Sequence, residues 1–289
     1  MCTLHLELEG LGIISLERLE LYYPRVRDRD DISVLRDPIT EVIVLSGTDH
    51  VSEAYYTERK ETELITLHDT EISAPRLQDD IRRAGEFGVH IKGKRWLDFG
   101  CGLGGMLDEL ASEAAYAAGL EPNQDRASIV SAKGHQVVTS LDELDDASLD
   151  IVTMFHVLEH LTDPIGVLKA FKRVLRPGGG VIIEVPHARD ALFTLYDCEE
   201  FKQFTFWSEH LVLHTRHSLQ LLLKAAGYPE HQSMGYQRYP LANHLYWMAK
   251  GKPGGHDKWR MLNGYDLDHA YKNTLCKIDR TDTLVVITQ

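Results

Sequence analysis

The stretch Leu97-Asp98-Phe99-Gly100-Cys101-Gly102-Leu103-Gly104-Gly105 decides how the rest of the chain is read. It completes an apolar run that begins at Arg95-Trp96 and leads into a helical pattern, so it spans a strand, a glycine turn and a helix start. Gly100, Gly102 and Gly105 fit GxGxxG, and Glu121 follows about 20 residues later, the spacing of a dinucleotide fingerprint. Taken alone, that signal is ambiguous. Asp98 separates the readings, because a carboxylate at the mouth of the turn would sit near a pyrophosphate and repel it.

S-Adenosylmethionine (SAM) carries no phosphate; its methionine end bears an ammonium and its sulfur is cationic. Asp98 is therefore awkward for NAD and useful for SAM. Glu121, at the end of the next strand, can accept both ribose hydroxyls, and hydrogen bonds to a charged group contribute roughly 1.5–3 kcal/mol each. The glycines let the backbone pass close beneath a cofactor where a Cβ would clash. The bland alternative is a plain glycine-rich turn with a surface Glu121.

Outward from this turn, helix and strand alternate from Pro75 to about Pro186. The pattern predicts a helix over 76–87, a strand over 95–99, a helix to Ala115 and a strand over 117–120. Further strands are expected over 135–138, 150–155 and 181–185, with a helix over 163–175 that stops at Pro177-Gly178-Gly179. Alternation of this kind implies right-handed crossovers and a parallel sheet. A helix over 216–226 and a strand over 283–288 close the chain.

Residues 1–75, with short apolar runs broken by charge, are expected to form a β-containing extension or lid, and residues 76–289 the main domain. Segments 187–214 and 240–280 read as insertions, and insertions beyond strand ends are where such folds build a substrate cap.

The pieces Trp96-Leu97-Asp98-Phe99-Gly100-Cys101-Gly102, Gly119-Leu120-Glu121-Pro122, Phe155-His156-Val157-Leu158-Glu159-His160-Leu161 and Val174-Leu175-Arg176-Pro177-Gly178-Gly179 resemble, in order and spacing, the class I SAM-dependent methyltransferases. The likeness covers roughly residues 75–230 and is to the group that includes ubiquinone-type and sugar-modifying enzymes. It implies an α/β, Rossmann-like, seven-stranded and mostly parallel sheet with helices on both faces, and SAM lying across the strand ends, with S-adenosylhomocysteine (SAH) as product. The expected cofactor residues are Asp98, Gly100, Gly102, Glu121, Phe155, His156 and Tyr56. Tyr55-Tyr56 is similar to a tyrosine pair that closes over SAM in relatives, with packing of the extension as the alternative.

Methyl transfer is an in-line displacement, and a hydroxyl or carbon acceptor also needs a base within hydrogen-bond reach. Similar enzymes carry an "EHL" segment at the acceptor pocket, which makes His210 the leading candidate, with His156 and His187 behind it; lid packing is the alternative for each. Tyr196, Trp207, Glu209, Asn243 and His244 are the expected substrate contacts. His156-Val157-Leu158-Glu159-His160 also fits HxxEH, a zinc pattern, but no further ligand is identifiable from sequence, so no metal is expected.

The acceptor is read as a sugar or nucleotide-linked sugar, which would place the protein in carbohydrate biosynthesis. A phenolic or quinone-like acceptor is the rival, and a catalytically silent SAM-binding partner protein the second class. Thirty-one basic against 44 acidic residues leave a charge of −13, which argues against a nucleic-acid acceptor. No apolar run approaches the ~20 residues of a membrane helix, and the N-terminus lacks a signal-peptide pattern, so a cytoplasmic location without membrane association is expected. A homodimer is compatible with the second insertion. Four scattered cysteines suggest neither a disulfide framework nor a cysteine zinc site.

Overall fold

The computed structural model describes residues 2–51, 57 and 73–288. Its strands are β1 (Glu20–Tyr23), β2 (Val34–Arg36), β3 (Ile43–Leu45), β4 (Arg95–Phe99), β5 (Tyr116–Leu120), β6 (Gln136–Val138), β7 (Leu149–Phe155), β8 (Leu175–Pro186), β9 (Val212–Leu213), β10 (His231–Tyr236) and β11 (Thr283–Thr288). Seven of them form the expected sheet in the order β10-β11-β8-β7-β4-β5-β6. β4 runs parallel to both β5 and β7, and β5 parallel to β6. The chain thus builds outward from β4 through β5 and β6, then returns to its other side with β7. That reversal makes the C-terminal ends of β4 and β7 a topological switch point, where open α/β sheets bind ligands.

The chain divides into two compact units. One comprises residues 50–157, 166–183 and 287–289. Trp96, Leu97, Val152, Met154 and Phe171 are fully buried there, as near-continuous apolar runs in a parallel sheet require. The helix after the glycine turn covers Gly105–Leu110 and stops short of the expected Ala115. The reason lies in the next residues: the Glu113 carbonyl accepts from Gly93 N–H, and Ala115 N–H donates to Lys94. Those backbone groups are spent on the loop before β4 and cannot propagate a helix. β8 begins immediately after the helix Pro164–Val174 and runs through Pro177-Gly178-Gly179-Gly180. Gly180 lies against the Thr288 carbonyl, where any Cβ would collide.

The other unit comprises residues 1–49, 158–165 and 184–286. Here the N-terminal segment does not stand alone. β1, β2 and β3 pair antiparallel, and β3 pairs with β9 from the first insertion, Ile43 opposite Leu213 and Val44 opposite Val212. A helix over Thr3–Gly10, not foreseen from the sequence, buries Leu4 and Leu8 one turn apart. The second insertion is helical, over Leu241–Lys250, Gly255–Lys258 and Tyr265–Lys277. Thr215 caps the helix Arg216–Ala225 through a reciprocal pairing with Ser218. Among the described residues, no helix is long and apolar enough to cross a membrane.

Candidate active site

Asp98, on β4, is almost fully buried. Its register partner across the β4–β7 pairing is Thr153, whose hydroxyl donates to Asp98 Oδ1 at 2.7 Å. The Trp96 indole N–H in turn donates to Thr153 Oγ1 at 2.9 Å. The carboxylate is therefore held by a chain of side chains anchored in the sheet. Burial pushes its pKa up to about 6, against the opposing pull of the Thr153 hydrogen bond; Asp80 adds to the rise and Arg83 counters it.

Glu121 follows the last residue of β5 and is also buried. Gly102 N–H donates to its Oε2 at 3.1 Å and Asn123 N–H to its Oε1 at 3.0 Å. These two bonds fix the orientation of the carboxylate. Gly100, Gly102 and Gly104 have φ of 75°, 56° and 79°, a region side chains rarely tolerate. A Cβ on Gly100 would run into Val157, whereas among the described residues nothing lies within 4 Å of where one on Gly102 would be. Among the described residues the turn is thus packed at Gly100 and uncrowded at Gly102. The Cys101 thiol feels both carboxylates; burial pushes its pKa up, and the negative charges of Asp98 and Glu121 add to that. It is not poised as a nucleophile.

Phe155 ends β7, stacked on Phe87 at 5.4 Å between ring centroids. The Arg83 guanidinium lies 5.1 Å from the centre of the Phe155 ring and 3.3 Å from Asp80. Arg83 and Asp80 were not picked out from sequence. The signal was present, because Arg83 and Phe87 are four apart and share a helix face. His156, the next residue, is half-buried with φ of 54°, so backbone strain is held at the strand end. Tyr56 lies outside the described residues.

The remaining candidates belong to the other unit. His210 lies beside His160, with ring centroids 5.0 Å apart, and beside Trp207 at 5.3 Å. Trp207 also receives the Arg27 guanidinium at 4.6 Å, and Glu209 is buried. His187 is fully buried; its Nδ1 pairs with the Thr281 carbonyl at 3.0 Å, and desolvation lowers its pKa to about 4. That makes it a neutral strand-end residue. Asn243 accepts from Gly255 N–H at 3.1 Å, stapling the start of the short helix Gly255–Lys258. His244 contacts Tyr271 at 2.6 Å, and the Tyr271 hydroxyl meets that of Tyr196 at 2.9 Å. Tyr196 and His244 are thus joined through Tyr271, which sequence reasoning missed, while Asn243 and His244 are both buried and engaged within the chain.

A family model described as a methyltransferase domain matches residues 70–232. The chain belongs to the class I SAM-dependent methyltransferases. A ubiquinone biosynthesis O-methyltransferase of Hahella chejuensis is 33% identical over 128 residues, covering 41% of this chain and 51% of that protein. One from Pseudomonas aeruginosa is 29% identical over 157 residues, covering 48% and 64%. The chain therefore spans about half to two thirds of the length of these relatives. A solved SAM-dependent methyltransferase of Archaeoglobus fulgidus superposes with a TM-score of 0.53 at 19% identity, over 78% of this chain and 98% of that one. This methyltransferase thus has the family's fold as well as its motifs, and SAM is the cofactor of its family. The residues present fit that group: a ligand with an ammonium and a ribose diol calls for acceptors, and Asp98 and Glu121 are two buried carboxylates beside a glycine turn where, among the described residues, nothing lies within 4 Å of a Cβ built on Gly102.

Proposed function

We propose that this methyltransferase transfers the SAM methyl group to an oxygen of a small phenolic or quinone-like acceptor. The observation that carries the cofactor half is the pair of buried carboxylates, Asp98 and Glu121, at the ends of adjacent parallel strands. Asp98 would take the methionine ammonium and Glu121 the ribose hydroxyls. Arg83, with Phe155 beside it, would meet the methionine carboxylate. SAM, when bound, supplies an electrophilic methyl on a cationic sulfur.

Support for the acceptor comes from the relatives, which are named as ubiquinone biosynthesis O-methyltransferases. Nothing in the comparisons supports the sugar expected from sequence. Phenolic hydroxyls ionise near pH 10, so at neutral pH the acceptor is almost wholly protonated and a base must take its proton as the methyl arrives. His156 is the base we assign, because it follows β7 at the switch point in the same unit as Asp98 and Glu121.

Calorimetric titration with SAM, SAH and NADH tests the cofactor; binding of NADH alone would overturn it. Turnover of a catechol-type phenol with labelled SAM, and none with a nucleotide sugar, is the expected acceptor result. The reverse preference would restore the sugar reading.

A further inference from the structure

Sequence argued against a metal because HxxEH lacked an identifiable further ligand. The fold supplies one. Glu159 and His160 lie in the single 3-10 turn Leu158–His160, and His210 arrives from fifty residues downstream. One donor atom from each of the three side chains falls within 4.8 Å of the others. Glu159 Oε1 stands 3.9 Å from His160 Nε2. The two segments are tied by the main chain itself, since Leu211 N–H donates to the Glu159 carbonyl at 2.8 Å. Glu159 is completely buried and both histidines are half-buried, so the cluster is no exposed acidic patch.

We propose that Glu159, His160 and His210 bind one zinc ion. The ligand pattern differs from HxxEH: His156 is not part of it, and the downstream histidine takes its place. Two imidazoles and a carboxylate are a donor set that zinc accepts, whereas magnesium prefers oxygen ligands throughout. Zinc–ligand bonds of ~2.0–2.1 Å place tetrahedral donors ~3.4 Å apart, so the observed spacing asks each side chain for a movement of only about an ångström. Trp207 packs edge-on against both imidazoles, at 6.1 Å from His160 and 5.3 Å from His210, which restricts their ring orientations. A set of three protein ligands leaves a tetrahedral position for water or a substrate oxygen, as catalytic zinc sites do. The assignment does not depend on the acceptor, nor on the protein being active.

The test is metal content and calorimetric zinc titration of the chelator-treated full chain, beside His210→Gln, His160→Gln and Glu159→Gln. The expected result is one zinc per chain in the wild type and affinity at least 100-fold weaker in each variant. Equal zinc affinity in all four proteins, or no stoichiometric zinc in the wild type, would overturn the site. Cobalt(II) titration of the wild type alone covers the case of a variant that does not fold: tetrahedral d–d absorption supports the site, and an octahedral spectrum refutes it.

Discussion

The glycine-turn unit and the histidine-bearing unit hold their chemistry in opposite ways. In the first, the groups that matter sit within one strand–turn–helix and the two neighbouring strand ends, positioned by parallel pairing one residue at a time. In the second, each cluster is collected from distant segments: His210 beside His160, Tyr196 beside Tyr271, and β3 beside β9. A site built by register tolerates little change in its own stretch of chain. A site built by gathering can lose a member without a local signature.

The largest expected effect breaks the first kind of site. On the proposed role of Glu121, Glu121→Ala would remove two charge-assisted bonds to the ribose, each about 1.5–3 kcal/mol, so SAH affinity by calorimetry should fall at least 100-fold. An unchanged Kd would detach the carboxylate from the cofactor. Next, His156→Ala should lower turnover by about 10²–10⁴, the usual contribution of a general base, while SAH affinity stays within about threefold. Loss of SAH binding instead would make His156 part of the cofactor turn, and full activity would end its role as base.

A third test uses pH. Asp98 must be ionised to accept from an ammonium, and its pKa is raised to about 6. SAH affinity should therefore weaken as pH falls below about 6, approaching tenfold per unit, and Asp98→Asn should be weak and flat over the same range. A wild-type profile without that slope would show that the carboxylate is not the ammonium's partner.

The smallest effect concerns the gathered unit. Asp190, buried and near Asp282, is raised from 3.8 to about 8, chiefly by burial. The folded state thus holds a proton that the unfolded chain has already released. The resulting stability is present below pH 3.8 and is lost as pH rises through about 8. Asp190 also caps the helix Ala191–Thr194 by accepting from Leu192 N–H at 2.7 Å, a bond the Asn side-chain oxygen can retain. Asp190→Asn should flatten the decline in Tm between pH 6 and pH 9. An identical decline in wild type and variant would assign the pH dependence to other groups.

The same contrast explains what could be read in advance. Asp98, the glycines and Glu121 were legible because strand, turn and spacing all lie in one short stretch. β10 was not: His231-Gln232-Ser233-Met234-Gly235-Tyr236 contains no β-branched residue and little apolar alternation. It is held by its setting, with Gly235 pressed so close to Thr281 that a Cβ would strike the threonine hydroxyl. Arg83 was hidden for a different reason, since a charged residue on an amphipathic helix reads as solvated until Phe155 is found beneath it. The pairing of β3 with β9 carried no signal at all, because neither short run names its partner.

That pairing also sets an order of events during synthesis. Val44 emerges from the ribosome long before Val212, and at 5–20 residues per second the wait is on the order of ten seconds or more. Throughout it, the apolar edge Ile43-Val44-Leu45 has no β9 to meet. A nascent chain of this protein must keep that edge from foreign strands, so its yield should depend more on chaperone supply and translation speed than on the final stability of the sheet.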